Sequence, residues 1–167
     1  QIASALGISE INRYVKIQAV QPMYSLVKRT AEIEILPLAK EKNLGVISYS
    51  PLGGGLLTGK YSSGGSEQDR INRQANYAKR YQRDRYKQTA ENFTDYAKKA
   101  GVHPVTLAVS WVKSNPAVTA PIMGARNTSQ LKPALDALEY RMSGNQYREI
   151  SNLAPPVPLA TDRDEEL

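Results

Sequence analysis

The apolar positions along the chain fall into short alternating runs separated by longer stretches of helical period. Residues Val15 to Val20 alternate and close on Gln21-Pro22, the pattern of a strand ended by a residue that cannot donate to a ladder. From Glu32 to Glu41, Ile33, Ile35, Leu36 and Ala39 recur at helical spacing, with Asn43 and Gly45 as a stop. A second strand is predicted over Val46 to Ser50 after only a short turn. These segments make a β-α-β unit, whose two strands are expected to be parallel with a right-handed crossover.

The alternation continues downstream. Beyond a polar loop at 62 to 69, helical spacing runs to about Lys99 and ends at Gly101. Pro104 opens a helix to Lys113, with Val105, Ala108, Val109 and Val112 as its apolar face, and Asn115-Pro116 stops it. A third short strand is predicted from Ala120 to Ala125 and a helix from Thr128 to Glu139. Ser143 with Gln146 three residues on marks a capping box for a last helix through about Leu153. The order β-α-β-α-β-α predicts α/β layers around a parallel sheet. A small open sheet and part of a barrel both fit, because a complete (β/α)8 barrel takes about 250 residues. One folded unit is expected over 1–154, followed by a proline-rich, then acidic, solvated tail over 155–167.

Composition narrows this picture. With 167 residues, 41% of them hydrophobic, the chain is long enough for one ordinary domain with a real core. The absence of cysteine excludes a disulfide framework and cysteine metal ligands, and is compatible with a reducing compartment. No apolar run approaches the ~18 residues that a membrane span needs, so a soluble, cytoplasmic protein is expected. The chain starts at Gln1, and Gln1 to Leu6 already reads as the middle of a helix with no cap ahead of it. It is therefore expected to be a piece of a longer protein.

The net charge of +6 is concentrated at Arg70, Arg73, Lys79, Arg80, Arg83, Arg85 and Lys87, interleaved with Tyr77, Tyr81 and Tyr86. Basic residues with stacking aromatics suit single-stranded nucleic acid. Here Asp69 and Asp84 interrupt the cluster, and Tyr77 and Tyr81 stand four apart as on a packed helix face, which favours a solvated basic helix and no nucleic-acid partner. Such a cluster also attracts an anionic cofactor.

The segment from Gly45 to Tyr61 carries the sharpest chemistry. A short apolar strand runs into Gly53-Gly54-Gly55 and ends at Gly59-Lys60. Consecutive glycines can adopt positive φ and let amide N–H groups approach an anion, with Lys60 as an added charge. A glycine-rich surface turn explains the glycines but not the lysine. Gly54, Gly59 and Lys60 also meet the spacing of a nucleotide-triphosphate loop, yet Tyr61 stands where a small hydroxyl is needed and no helical pattern follows, which argues against that class. On the residues alone, the reading is an α/β domain that binds a phosphorylated ligand.

Three segments in order, Val20-Gln21-Pro22-Met23-Tyr24-Ser25-Leu26, Tyr49 to Tyr61, and Pro121-Ile122-Met123-Gly124-Ala125-Arg126-Asn127 with Ser129-Gln130-Leu131, resemble the aldo-keto reductases. The resemblance covers essentially the whole chain and is nearest the branch of bacterial general reductases, aryl-alcohol dehydrogenases and potassium-channel β subunits. It implies the C-terminal portion of a (β/α)8 TIM barrel, strands six to eight with their helices, and NADPH-dependent reduction of a small carbonyl substrate. By resemblance Gln21 hydrogen-bonds the nicotinamide carboxamide and Tyr49 stacks on its ring. Ser50, Pro51, Leu52, Gly53 and Gly54 line the pyrophosphate under Lys60 and Arg70, and Gly124, Arg126 and Gln130 meet the adenosine 2′-phosphate. Pro133 and Ala134 depart from the Glu and Asn that often reach the adenine. The family's catalytic Asp, Tyr, Lys and His lie before Gln1, so no catalytic residue and no metal site is assigned here, and the chain alone is expected to be inactive. His103, the single histidine, reads as a helix cap or surface residue. A non-catalytic NADPH-binding regulatory subunit is the alternative.

Overall fold

The computed structural model describes residues 1–60, 75–81 and 83–159, without the side chain of Tyr77. Arg70, Arg73, Tyr61, the polar loop at 62–69 and the acidic end of the tail lie outside the described residues.

Three strands form a parallel sheet in the order β1 (Ala19–Val20), β2 (Gly45–Ser48), β3 (Ala120–Pro121). The register pairs Ala19 with Gly45 and Ile47 with Ala120. Parallel pairing was expected from the β-α-β order, but the outer strands are much shorter than their alternation suggests. Val15 is 92% exposed. On the β2 side it lies ahead of the first pair in the ladder, so its apolar side chain has no strand to pack beside. Pairing of the third strand stops after the Ile122 N–H reaches Ser48 O at 2.7 Å, because Ser50, with φ of 59°, turns the central chain away.

Seven α-helices are described: α1 (Ile2–Ile11), α2 (Ile35–Glu41), α3 (Ala75–Tyr81), α4 (Asp84–Lys99), α5 (Pro104–Lys113), α6 (Thr128–Glu139) and α7 (Gly144–Ser151). Several ends follow the sequence signals. Asn43 sits at φ of 52° after α2, with the Leu44 N–H on Ala39 O and the Asn43 N–H on Lys40 O. Gly101 ends α4 the same way, with Val102 N–H on Ala97 O, so both carbonyl ends are satisfied by a left-handed cap. Ser143 Oγ accepts from Gln146 N–H at 3.1 Å at the start of α7, while the Gln146 side chain turns to the Tyr140 hydroxyl instead of closing the capping box. His103 is a cap as read, its Nδ1 accepting from Val105 N–H at 3.1 Å.

The long helix expected up to Lys99 is broken between α3 and α4, where Arg83 is extended. No proline or glycine causes the break. Tyr81 and Tyr86 are both buried, and five residues of α-helix rotate a side chain by about 500°, leaving the two on different faces. An unbroken helix could not bury both against one core.

The helices cover one face of the sheet, where Val46 and Ser48 are fully buried. On α5 every residue from Val105 to Val112 is buried, more than the single apolar face expected, because α5 packs against α4, α6 and the glycine turn together. The opposite sheet face is open: Ile47 is 39% and Ile122 42% exposed. Helix α1 buries none of its residues.

Candidate functional site

Strand alternation places Ile47 and Tyr49 on one face of the sheet, and the register adds Ala19 with Gln21 and Ala120 with Ile122 to the same face. Because the strands are parallel and adjacent, Gln21, the Tyr49–Gly54 segment and the Ile122–Arg126 segment all leave the sheet at its carboxyl edge. Three segments far apart in sequence therefore meet at one end of a face that is uncovered among the described residues, the end at which α/β sheets hold ligands.

The backbone around Tyr49 is tightly held. Its N–H donates to Pro22 O at 3.0 Å and its carbonyl accepts from Tyr24 N–H at 3.1 Å. Tyr24 is itself locked: its hydroxyl donates to Glu32 Oε1 at 2.7 Å and accepts from Asn115 Nδ2 at 2.9 Å. Arg29 forks onto both Glu32 oxygens at 2.8 and 2.9 Å and reaches Ser151 O at 3.0 Å. Burial, and after it the nearby Glu32 carboxylate, pushes the Tyr24 hydroxyl far above the ordinary phenol range. Burial is the largest single influence and opposes the Arg29 charge, but the hydrogen bonds to Glu32 and the attraction of its carboxylate together outweigh it and hold the guanidinium protonated beyond its ordinary range. A rigid polar network thus fixes the strand end from the covered side, and Tyr49 presents its half-buried ring on the other.

The glycine segment is a kinked 3-10 turn over Gly53–Thr58, with φ of 56°, 66° and 99° at Gly53, Gly54 and Gly55. Side chains are excluded at two of these. A Cβ on Gly53 would strike Val27, and one on Gly54 would lie 2.7 Å from Tyr81 Cε2. The expectation that successive amides face an anion is corrected in part: Gly53 N–H donates to Ser50 O and Gly55 N–H to Leu52 O, both at 2.9 Å, so these two close the turn itself. Pro51 and Gly53 are buried and act through the shape of the turn, whereas Ser50, Leu52 and Gly54 retain surface. Lys60 is exposed at the turn's far end, one residue past Gly59.

The third segment ends at the start of α6. Asn127 Oδ1 caps that helix through Gln130 N–H at 3.0 Å and also accepts from Ser129 Oγ at 2.8 Å. Gln130 Oε1 folds back onto Arg126 N–H at 3.2 Å. Gly124, Arg126 and Gln130 are all exposed, and the Arg126 guanidinium makes no ion pair among the described residues. A free guanidinium beside a capped helix N-terminus is a place for a phosphate dianion. Asn127, which sequence reasoning did not single out as a site residue, organises this loop; its spacing to Gln130 is the signal of an N-cap. The departures further along α6 have structural uses. Pro133 O accepts from Thr106 Oγ1 at 2.6 Å, and Ala134 is buried against Val105 and Val109 of α5.

The donor set at this edge suits a dinucleotide: a carboxamide at Gln21, an aromatic face at Tyr49, a glycine turn, and a cation at Arg126. Among the described residues no group of three or more His, Asp or Glu gathers as a metal would require, and no helix is long and apolar enough to cross a membrane.

Comparison with known proteins agrees with the three segments. The chain matches the family model "Aldo/keto reductase family" over residues 2–155. It is 34% identical over 156 residues to the uncharacterized oxidoreductase YrpG of Bacillus subtilis, covering 92% of this chain and 45% of that protein. It is 34% identical to the probable aldo-keto reductase 1 of Glycine max, over 88% of this chain and 42% of the relative. It is also 32% identical to a probable voltage-gated potassium channel subunit beta of Arabidopsis thaliana, over 83% of this chain and 44% of the relative. The chain thus spans under half the length of each. With the family match running nearly end to end, this chain belongs to the aldo/keto reductases, a family generally of oxidoreductases that use NAD(P)H.

Proposed function

We propose that this chain is the cofactor-binding, C-terminal portion of a (β/α)8 barrel enzyme that reduces aldehydes or ketones to alcohols with NADPH. The observation that carries this reading is the convergence of Gln21, Tyr49, the glycine turn and Arg126 at the carboxyl edge of one parallel sheet, on the face where Ile47 and Ile122 stay exposed among the described residues.

NADPH, when bound, supplies the hydride. The residues of this chain bind and orient it. Gln21 offers its amide to the carboxamide, and the Tyr49 ring provides a flat surface that selects which face of the nicotinamide points at the substrate. Ser50 and the turn from Leu52 to Gly54 carry the pyrophosphate, with Lys60 as positive charge at the far end of the turn; Arg70, which the family resemblance also assigns to the phosphates, lies outside the described residues. Gly124, Arg126 and Gln130 take the 2′-phosphate, which distinguishes NADPH from NADH. The groups that donate the proton and polarise the carbonyl are proposed to lie outside this chain, which alone is expected to be inactive.

Arg126→Ala in the full-length protein is expected to weaken NADPH binding by about 1.5 to 3 kcal/mol, the range for a charged hydrogen bond, and to leave NADH nearly unchanged. Fluorescence titration with both cofactors measures this. Equal losses for the two would remove Arg126 from the 2′-phosphate site.

The identity shared with a relative described as a probable potassium channel subunit beta supports a second reading, an NADPH-binding regulatory subunit. Steady-state turnover of a panel of aldehydes separates the two: cofactor binding without measurable oxidation of NADPH favours the regulatory role.

A further inference from the structure

Tyr81, the last residue of α3, is 1% exposed, although its helix otherwise shows Ala75, Asn76, Lys79 and Arg80 to solvent. Its ring lies against the glycine turn, so close that a Cβ on Gly54 would stand 2.7 Å from Cε2 and 2.9 Å from Cδ2. Its hydroxyl donates to Met23 Sδ at 3.6 Å. Met23 in turn pairs with Tyr49 as a parallel bridge. One side chain therefore touches the glycine turn and, through Met23, the strand end that carries Tyr49.

We infer that Tyr81 is a positioning residue for cofactor binding: its ring sets the glycine turn in its left-handed shape and its hydroxyl ties that turn to the Met23–Tyr49 strand end. The inference rests on the cofactor reading above. Left-handed glycines have many alternative conformations, so a turn built of three of them needs an external template to present one. The flat face of a buried aromatic ring supplies that template at low conformational cost, since only two side-chain torsions must be fixed. The fit is mutual, because Gly54 is the residue that leaves room for the ring. The same anchor attaches α3, with Lys79 and Arg80 in its last turn, to the phosphate end of the site.

A residue that only fills the core would, when truncated, lower stability and weaken every ligand alike. A positioning residue for the turn acts on the ligand part that the turn touches. The experiment titrates full-length wild type, Tyr81→Phe and Tyr81→Ala with NADPH and with adenosine 2′-monophosphate, which reaches the Arg126 loop but has no pyrophosphate. Tyr81→Ala is expected to weaken NADPH about tenfold or more and the monophosphate by less than about twofold, since lost preorganisation of the turn appears only in the ligand that uses it. Tyr81→Phe, which keeps the ring and loses only the hydroxyl bond to Met23 Sδ, is expected to restore most but not all of the NADPH affinity, and a phenylalanine variant as weak as the alanine one overturns the role given to the ring. Where the alanine variant does not fold, Tyr81→Leu keeps apolar bulk in the core and carries the same expectation. Unchanged NADPH affinity, or equal loss for both ligands, overturns the inference. Failure of the wild type to bind NADPH overturns the cofactor reading instead, and is seen before any variant is compared.

Discussion

Trp111→Ala is expected to lower the free energy of unfolding by about 3 to 5 kcal/mol, among the largest losses any single truncation in this chain can give. Trp111 is fully buried on α5 and is the hub between the sheet end and the last helix. Its ring stacks on Tyr147 with centroids 5.5 Å apart and an interplanar angle of 10°, and meets Tyr24 at 5.2 Å. Its Nε1–H donates to Ser151 Oγ at 3.0 Å, and the Arg29 guanidinium lies 5.7 Å from the ring centre. Truncation removes the apolar contacts and leaves a cavity, while the Ser151 hydroxyl loses one donor and keeps its own bond to Tyr147 O at 2.7 Å, so lost packing carries most of the cost. Chemical denaturation followed by circular dichroism measures the effect. A loss under about 1 kcal/mol would mean that the site collapses freely and that Trp111 is not the hub described.

Glu32→Ala is expected to cost about 3 kcal/mol, the low end for uncompensating a buried ion pair, because the pair is largely but not fully shielded. Arg29 and Glu32 side chains are 17% and 21% exposed. Glu32 accepts from both Arg29 and Tyr24, so its removal leaves a guanidinium and a phenol short of partners in the core. The loss also reaches the candidate site, since Tyr24 N–H holds Tyr49 O. Wild-type-like unfolding of Glu32→Ala in urea would sink this account.

The same network predicts an alkaline dependence. The Tyr24 hydroxyl is raised far above its unfolded value by burial and then by Glu32. Its stabilisation is complete below the unfolded phenol value near pH 10 and falls as pH rises beyond it, because the unfolded chain loses a proton that the native protein keeps. Each unit above that point costs about 1.4 kcal/mol from this one group. Tyr24→Phe is expected to be less stable than wild type at pH 8, where the phenol bonds are lost, with the gap narrowing steadily above pH 10. A constant gap across that range would show that Tyr24 titrates normally in the native protein.

Local signals in the sequence determined the elements and their order. Period-2 and helical spacing located β2, α5 and α6 closely, and Asn43, Gly101, His103 and Ser143 marked helix ends because caps depend on a few neighbouring residues. The motifs around Gln21, the glycine turn and Arg126 identified the family, since their chemistry is carried by residue type and spacing alone. Pairing partners decided the rest. The outer strands stopped short where β2 offered nothing further to bond, which alternation within one strand cannot reveal. The break between α3 and α4 arose because Tyr81 and Tyr86 had to reach different parts of the core, a demand visible only once the glycine turn and Lys28 are in place around them. The use of the Gly53 and Gly55 amides within the turn, and the ring of Tyr81 over Gly54, likewise follow from contacts between residues distant along the chain. Sequence fixes what each segment favours locally; which face, length and partner it ends with depends on the segments it meets.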